Sequence, residues 1–279
     1  MGMQWTAWGT TVRVEVTDPD RASAARRIVA RCVADAERAA DLGNPRAEVY
    51  RSARSAGRPV RVRPLLAGLV AVAIGAAERS GGAVDPTVGA ATLPMRRPRW
   101  ASGGLVPVCG ALPAPRPRPA PGWRGIDWTE QSISIPPGAC LDLSATAKAT
   151  TAHRAAGLIA SRCGTGCLVE IGGDVATAGP SPIGGWTVVP EHAGAAAVQL
   201  DAGTAVASCR AAGIIDPLTG LPVESPWQAV GVAGPDVVCA KVAAVAALVR
   251  GQDAAGYLDE LGVQAVLVPA GRGMDVVAH

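Results

Sequence analysis

The feature that most limits the folds open to this chain is the order of its elements. Short strands that alternate apolar and polar residues are mixed with long Ala-rich helices, without a repeating strand–helix–strand rhythm. The start, residues 1–16, is strand-like, and T-T-V-R-V-E-V at 10–16 alternates as a half-buried strand does. Asp18 then caps a helix with Pro19 at its first position, and Ala24, Ile28, Cys32 and Ala36 recur at helical spacing. A second helix is predicted over about 64–80, stopped by Gly81 and Gly82, and a third over 145–163. Two more follow at 236–250 and 253–261. Strands are predicted at 132–135, in L-V-E-I-G-G-D, at 186–189, 196–200, 205–208 and 228–232, and as a closing pair at 265–268 and 274–278. Residues 213–220 read as a turn. The mixture predicts α+β with mixed sheets and packed helices rather than a doubly wound sheet.

A chain of 279 residues is long enough to bury a sizeable core, as one domain or as two interlocked lobes. Phe is absent and aromatics make up 3%, so the core is aliphatic and the seven Trp carry most of the stacking area. Residues 94–128 are rich in Pro, Arg and Gly with little periodicity, and read as a surface excursion within one domain spanning 1–279. The net charge of +3 is scattered, and Arg96, Arg97, Arg99, Arg116 and Arg118 are interleaved with proline, so no nucleic-acid partner is expected. No signal peptide is visible, and the apolar helix at 64–77 is too short to span a membrane. Cys32, Cys109, Cys140, Cys209 and Cys239 sit singly among apolar residues, as reduced buried thiols do, and Cys163 and Cys167 lack the second pair a zinc site needs. A cytoplasmic protein is expected.

Neither G-x-G-x-x-G nor G-x-x-x-x-G-K-[ST] occurs. Four segments join a permissive turn to a charge at the edge of a regular element: G-G-A-V-D-P-T-V-G (81–89), D-L-S-A-T-A-K-A (142–149), E-I-G-G-D-V (170–175) and G-I-I-D-P-L-T-G (213–220). Turn chemistry alone accounts for each Asp-Pro-x-x-Gly: Asp accepts backbone N–H bonds, Pro sets φ and Gly takes the left-handed position. Gly172 and Gly173 let a ligand approach the backbone, or simply form a sharp bend.

The lysines say more. Lys148 and Lys241 are the two lysines in the chain; the other 24 of its 26 basic residues are arginine. Where a generic positive charge suffices this composition uses Arg, so the two ammonium groups point to a compact cation at a phosphate. Lys148 falls in the first turn of its helix, where an anion would offset the macrodipole, and Lys241 falls among apolar neighbours that predict partial burial. The alternative is two snorkelling side chains.

Together the segments resemble the ApbE family, the FAD:protein FMN transferases, over nearly the whole chain. W-G-T at 8–10 is similar to the family's M-G-T, and D-P-T-V-G at 85–89 matches its own motif. D-L-S-A-T-A-K-A resembles D-L-G-G-I-A-K-G, I-G-G-D matches G-G-D, S-C-R at Ser208 resembles the start of an S-G segment, and I-I-D-P-L-T-G resembles H-I-I-D-P-R-T-G. The resemblance implies an ApbE-like (T-fold-like) fold, FAD or FMN as cofactor, and transfer of FMN to a Ser or Thr hydroxyl of a flavoprotein with release of AMP. It implies cofactor contacts at Asp85, Thr87, Gly89, Asp142, Ala147, Gly172, Gly173, Asp174, Ser208, Thr219 and Lys241, and catalytic roles for Asp216, Lys148 and His153. It also implies Mg²⁺ on the FAD pyrophosphate, yet the family's A-D-A-L-A-T-A, with its Asp and Thr ligands, is here A-K-V-A-A-V-A. Lys241 and Val245 stand at those two positions, Gly213 replaces the His, and His153 replaces an Asp. No metal ligand is therefore assigned, and Lys241 is expected to act as counter-charge. The second reading is a flavin-binding protein without transferase activity, with a redox or regulatory partner. For stacking on the isoalloxazine, Tyr50 and Trp100 are the candidates.

Overall fold

The structure is a computed structural model that describes residues 2–93, 117–190, 197–271 and 277–278. It divides into two compact units, each assembled from separated stretches of chain: Met1–Ala34, Lys148–Ala211 and Glu224–His279 form unit 1, and Asp35–Ala147 with Ala212–Val223 form unit 2.

The elements run β1 (Gly2–Ala7), β2 (Thr10–Val16), α1 (Ala22–Ala40), α2 (Tyr50–Ala53), β3 (Val60–Arg61), α3 (Pro64–Arg79), α4 (Gly89–Thr92), β4 (Asp127–Trp128), β5 (Ser132–Ser134) and α5 (Ser144–Cys163). They continue with β6 (Cys167–Ile171), β7 (Asp174–Ala178), β8 (Trp186–Val188), β9 (Val198–Leu200), β10 (Ala205–Arg210), β11 (Trp227–Gly234), α6 (Val237–Arg250), α7 (Ala254–Leu261), β12 (Gln264–Pro269) and β13 (Val277–Ala278).

Unit 1 is built on an eight-stranded sheet in the order β1-β2-β6-β7-β10-β11-β12-β13. Its pairings are antiparallel throughout. Because side chains alternate along a strand, each face collects its own layer. One face presents Leu168, Val175 and Val206 to the hairpin β8–β9, whose Trp186, Val188 and Leu200 complete a buried cluster. The helix α6 packs against β7, β10 and β11. It is buried around almost its whole circumference, which suits its Ala/Val composition. Asp236 caps it, with its carboxylate accepting from the Cys239 N–H at 2.7 Å. Unit 2 carries the small sheet β3-β5-β4 and the apolar helix α3, which ends at Arg79 where Gly81 and Gly82 turn left-handed and Gly82 N–H closes on Ala77 O at 2.7 Å.

Several expectations are refined. The helix after Asp18 opens with a 3-10 turn over Pro19–Arg21 before α1 begins. α5 starts at Ser144, which puts Lys148 in its second turn rather than its first. Cys32, Cys140 and Cys209 are buried free thiols as expected, but Cys239 is exposed, because the first turn of α6 presents that position outward; Cys109 lies outside the described residues. Within the Pro/Arg-rich stretch at 94–128, residues 117–128 are described and tied into unit 2: Ala120 N–H reaches Pro217 O at 2.7 Å and Trp123 N–H reaches Asp85 at 3.0 Å. Trp100 lies outside the described residues. Tyr50 is buried, and its hydroxyl donates to Leu42 O at 2.6 Å, so its ring is not available to stack on a flat ligand.

Candidate functional site

The sequence-derived residues separate into two groups, one in each unit. In unit 2 the D-P-T-V-G turn is closed by its own side chains. Asp85 Oδ1 accepts from the Thr87 N–H at 2.8 Å and the Thr87 hydroxyl at 2.7 Å, while Oδ2 accepts from Trp123 N–H at 3.0 Å. Thr87 Oγ1 in turn accepts from Gly122 N–H at 3.0 Å. The same turn is laced to the chain before α5: Gly89 N–H donates to Cys140 O at 3.0 Å and Asp142 N–H to Pro86 O at 2.7 Å. A Cβ on Gly89 would stand 2.5 Å from Cys140 O, so the close approach of the two backbones requires glycine there. Asp142 accepts from Ser144 N–H at 2.9 Å at the start of α5, and Ala147 is fully buried one turn on.

Asp216 and Thr219 form a second self-contained turn in unit 2. Asp216 Oδ1 accepts from Leu218 N–H at 2.9 Å and Oδ2 from the Thr219 hydroxyl at 3.0 Å. The first is a side-chain-to-backbone turn pattern of the kind Asp favours, and the second joins two side chains across the same turn. Asp216 is half-buried, whereas Asp85, Thr87 and Asp142 are buried.

Unit 1 holds the rest, and Gly172, Gly173, Asp174, Ser208 and Lys241 gather at one end of the large sheet. Two hairpins of the tight type in which both turn residues have positive φ meet there. The β1–β2 turn is Trp8 (φ 49°) and Gly9 (φ 65°), and the β6–β7 turn is Gly172 (φ 61°) and Gly173 (φ 83°). They touch: Gly172 N–H donates to Thr11 O at 2.9 Å, and a Cβ on Gly172 would lie 2.6 Å from the Thr10 hydroxyl oxygen. Trp8 is a bulky residue in the left-handed region and buried, so this corner holds local strain that a glycine would relieve.

Asp174 opens β7 directly after the glycine pair and lies opposite Ala207 of β10. Ser208 N–H donates to Gly173 O at 3.0 Å. Lys241, one turn into α6, reaches down onto both strands: its ammonium is 2.9 Å from Asp174 Oδ1 and donates to Ser208 O at 2.7 Å. The side chains of this pair are 10% and 1% exposed, which makes it a buried ion pair rather than a surface one. Next to it, burial pushes the Cys209 thiol up from its ordinary value; the Lys241 ammonium opposes that, the Asp174 carboxylate adds to it, and Lys148 makes a smaller opposing contribution. Lys241 is therefore buried at this corner of the sheet, a placement that residue counting alone could not give. His153 is elsewhere in unit 1, exposed on α5 with Nδ1 3.6 Å from Asp236 Oδ2.

Among the described residues no group of three or more His, Cys, Asp or Glu side chains converges. The place beside the Asp174 carboxylate is taken by an ammonium, and the next candidate, Val245, is a buried hydrocarbon.

A mixed α/β protein with an extended antiparallel sheet, glycine hairpins at one sheet end and a buried lysine above them is the class these features define. The model of the ApbE family matches residues 8–267, and the chain belongs to that family. Solved structures agree on the fold. A flavinyl transferase ApbE from Pseudomonas stutzeri, in its apo form, superposes with a TM-score of 0.80 at 20% identity, covering 100% of this chain and 94% of its own. An ApbE protein from Thermotoga maritima gives 0.81 at 21%, covering 100% and 96%, and a mutant of the flavin transferase ApbE from Vibrio cholerae gives 0.78 at 22%, also 100% and 96%. No curated protein matches the sequence.

Proposed function

We propose that this chain is an FAD:protein FMN transferase. It would bind FAD and pass the FMN half to a Ser or Thr hydroxyl of a partner flavoprotein. The observation that carries this reading is membership of the ApbE family over residues 8–267, together with full-length likeness to solved flavin transferases. In the reaction the acceptor oxygen bonds to the flavin-side phosphorus, the pyrophosphate P–O bond breaks, AMP leaves with that oxygen, and the hydroxyl proton passes to a base. The acceptor gains a phosphoester and nothing is oxidised or reduced.

For the residues, we assign Asp216 to receive the acceptor proton, its half-exposed carboxylate being held in orientation by Leu218 N–H and Thr219. Lys148 and Lys241 contact the pyrophosphate, and the bare backbone at Gly172 and Gly173 gives the nucleotide close approach beside Asp174 and Ser208. Asp85, Thr87, Gly89, Asp142, Ala147 and Thr219 shape the binding loops of unit 2. His153 contributes through its pair with Asp236 at the head of α6. Mg²⁺ finds no fitting ligand set at Asp174, and no step is assigned to it. The chain acts as one ApbE-like domain. No helix among the described residues is long and apolar enough to cross a membrane, and the free thiols support a reducing, cytoplasmic setting.

The test is incubation of the purified protein with FAD and a flavoprotein domain bearing an acceptor threonine, reading AMP by chromatography and covalent flavin by in-gel fluorescence. AMP and fluorescent acceptor formed together, and lost in Asp216→Asn, are expected. FAD bound with neither product would make the chain a flavin carrier instead.

A further inference from the structure

We propose that in this chain the cation of the nucleotide site is the Lys241 ammonium itself, pinned by Asp174 and the Ser208 carbonyl, so that the site works without a divalent metal. The inference rests on the flavin-nucleotide reading above for its ligand, but its core is a statement about the protein alone.

Three observations carry it. The ammonium is buried and held from two sides, by a carboxylate at 2.9 Å and a carbonyl at 2.7 Å, on three separate elements: α6, β7 and β10. Such an arrangement fixes a point charge rather than letting it snorkel to solvent. A divalent ion placed at those two oxygens would meet the ammonium as a like charge, so the two cations cannot share them. Lastly, Val245, one turn further along α6, is a buried hydrocarbon and offers no oxygen donor beside the ammonium.

The geometry also says how the metal could be restored. In Lys241→Asp the ammonium is gone and the shorter side chain leaves a gap between its carboxylate, Asp174 and the Ser208 carbonyl. Three hard oxygen donors around a gap are what Mg²⁺ or Mn²⁺ takes.

The experiment uses the full chain, stripped with chelator. Mn²⁺ binding is followed by electron paramagnetic resonance without flavin, and FAD binding by fluorescence quenching with excess EDTA or excess Mg²⁺. Wild-type protein is expected to show no tight Mn²⁺ site and an FAD affinity that Mg²⁺ changes by less than about twofold, since an ion that does not bind cannot couple to the ligand. Lys241→Asp is expected to gain one Mn²⁺ site and an FAD affinity that rises about tenfold or more with Mg²⁺. Should that variant fail to fold, the charge-neutral double variant Asp174→Asn with Lys241→Met serves. It should bind FAD about tenfold more weakly, with no rescue by Mg²⁺. A tight Mn²⁺ site in the wild type that Asp174→Asn removes, or a tenfold Mg²⁺ dependence of wild-type FAD binding, would overturn the proposal. Absence of FAD binding under every condition would instead sink the flavin reading, while the Mn²⁺ titrations still decide what occupies the corner.

Discussion

Asp85 in unit 2 and Asp174 in unit 1 both follow glycine-rich turns in motifs of similar appearance, yet they are satisfied by different chemistry. Asp85 is closed by local partners, the N–H and hydroxyl of Thr87 two residues on, and by one backbone N–H from Trp123. Asp174 is met by the ammonium of a lysine from a distant helix. A carboxylate bonded to neutral N–H and O–H donors stabilises a turn and keeps its charge. One bonded to an ammonium cancels a charge and fixes another group in space. The first arrangement builds a loop and the second ties a helix to two strands.

Four measurements test that contrast, beginning with the largest effect. Asp174→Ala or Lys241→Met alone strands a buried charge and is expected to cost about 3–5 kcal/mol in urea unfolding, while the neutral double variant recovers most of it. Equal losses in the single and double variants would mean that the pair is not the source. Asp85→Ala is expected to cost about 2–3 kcal/mol, because it leaves the Thr87 and Trp123 N–H groups inside unit 2 without their acceptor. No change at Lys241 should rescue it.

Asp216→Ala, at a half-exposed turn, should cost only about 0.5–1 kcal/mol in stability while abolishing AMP release. A large stability loss with AMP release intact would return Asp216 to the role of a turn residue like Asp85. The smallest effect comes from pH. Burial pushes the Cys167 thiol up to about 12 from its ordinary value of 9.0. The unfolded chain therefore releases that proton first, and stability falls as pH rises through the window between those two values. From pH 8 to 9.5 the loss from this thiol is under about 1 kcal/mol, and Cys167→Ala should flatten that part of the curve.

Much of the fold was legible in the sequence because its signals are local. Alternation over Thr10–Val16 marked β2, Pro64 and the Gly81-Gly82 pair bracketed α3, and the two glycines after Ile171 marked the end of β6, whereas β7 beyond them was not expected as a strand. The ends were less sharp: α5 begins a residue earlier than the sequence suggested, which moved Lys148 into the second turn. The exposure of Cys239 escaped the reading because an apolar neighbourhood in sequence does not say which side of a helix faces water.

For the site, the sequence by itself singled out kinds of residue, the two lysines left in an arginine-rich chain and the aspartates behind glycine turns, while Lys241 and Val245 stood out as a pair only through the family resemblance. It could do so because turn geometry and ligand hardness are properties of residues and their near neighbours. Asp85 and Asp216 accept from their own turns as turn chemistry predicts, and only the tertiary structure decided that Trp123 N–H joins Asp85 and that Asp174 lies against Lys241 beside the Ser208 carbonyl. That pairing joins α6 to strands far from it along the chain. Its strength comes from burial at the sheet corner, which exists only once the sheet and helix have packed.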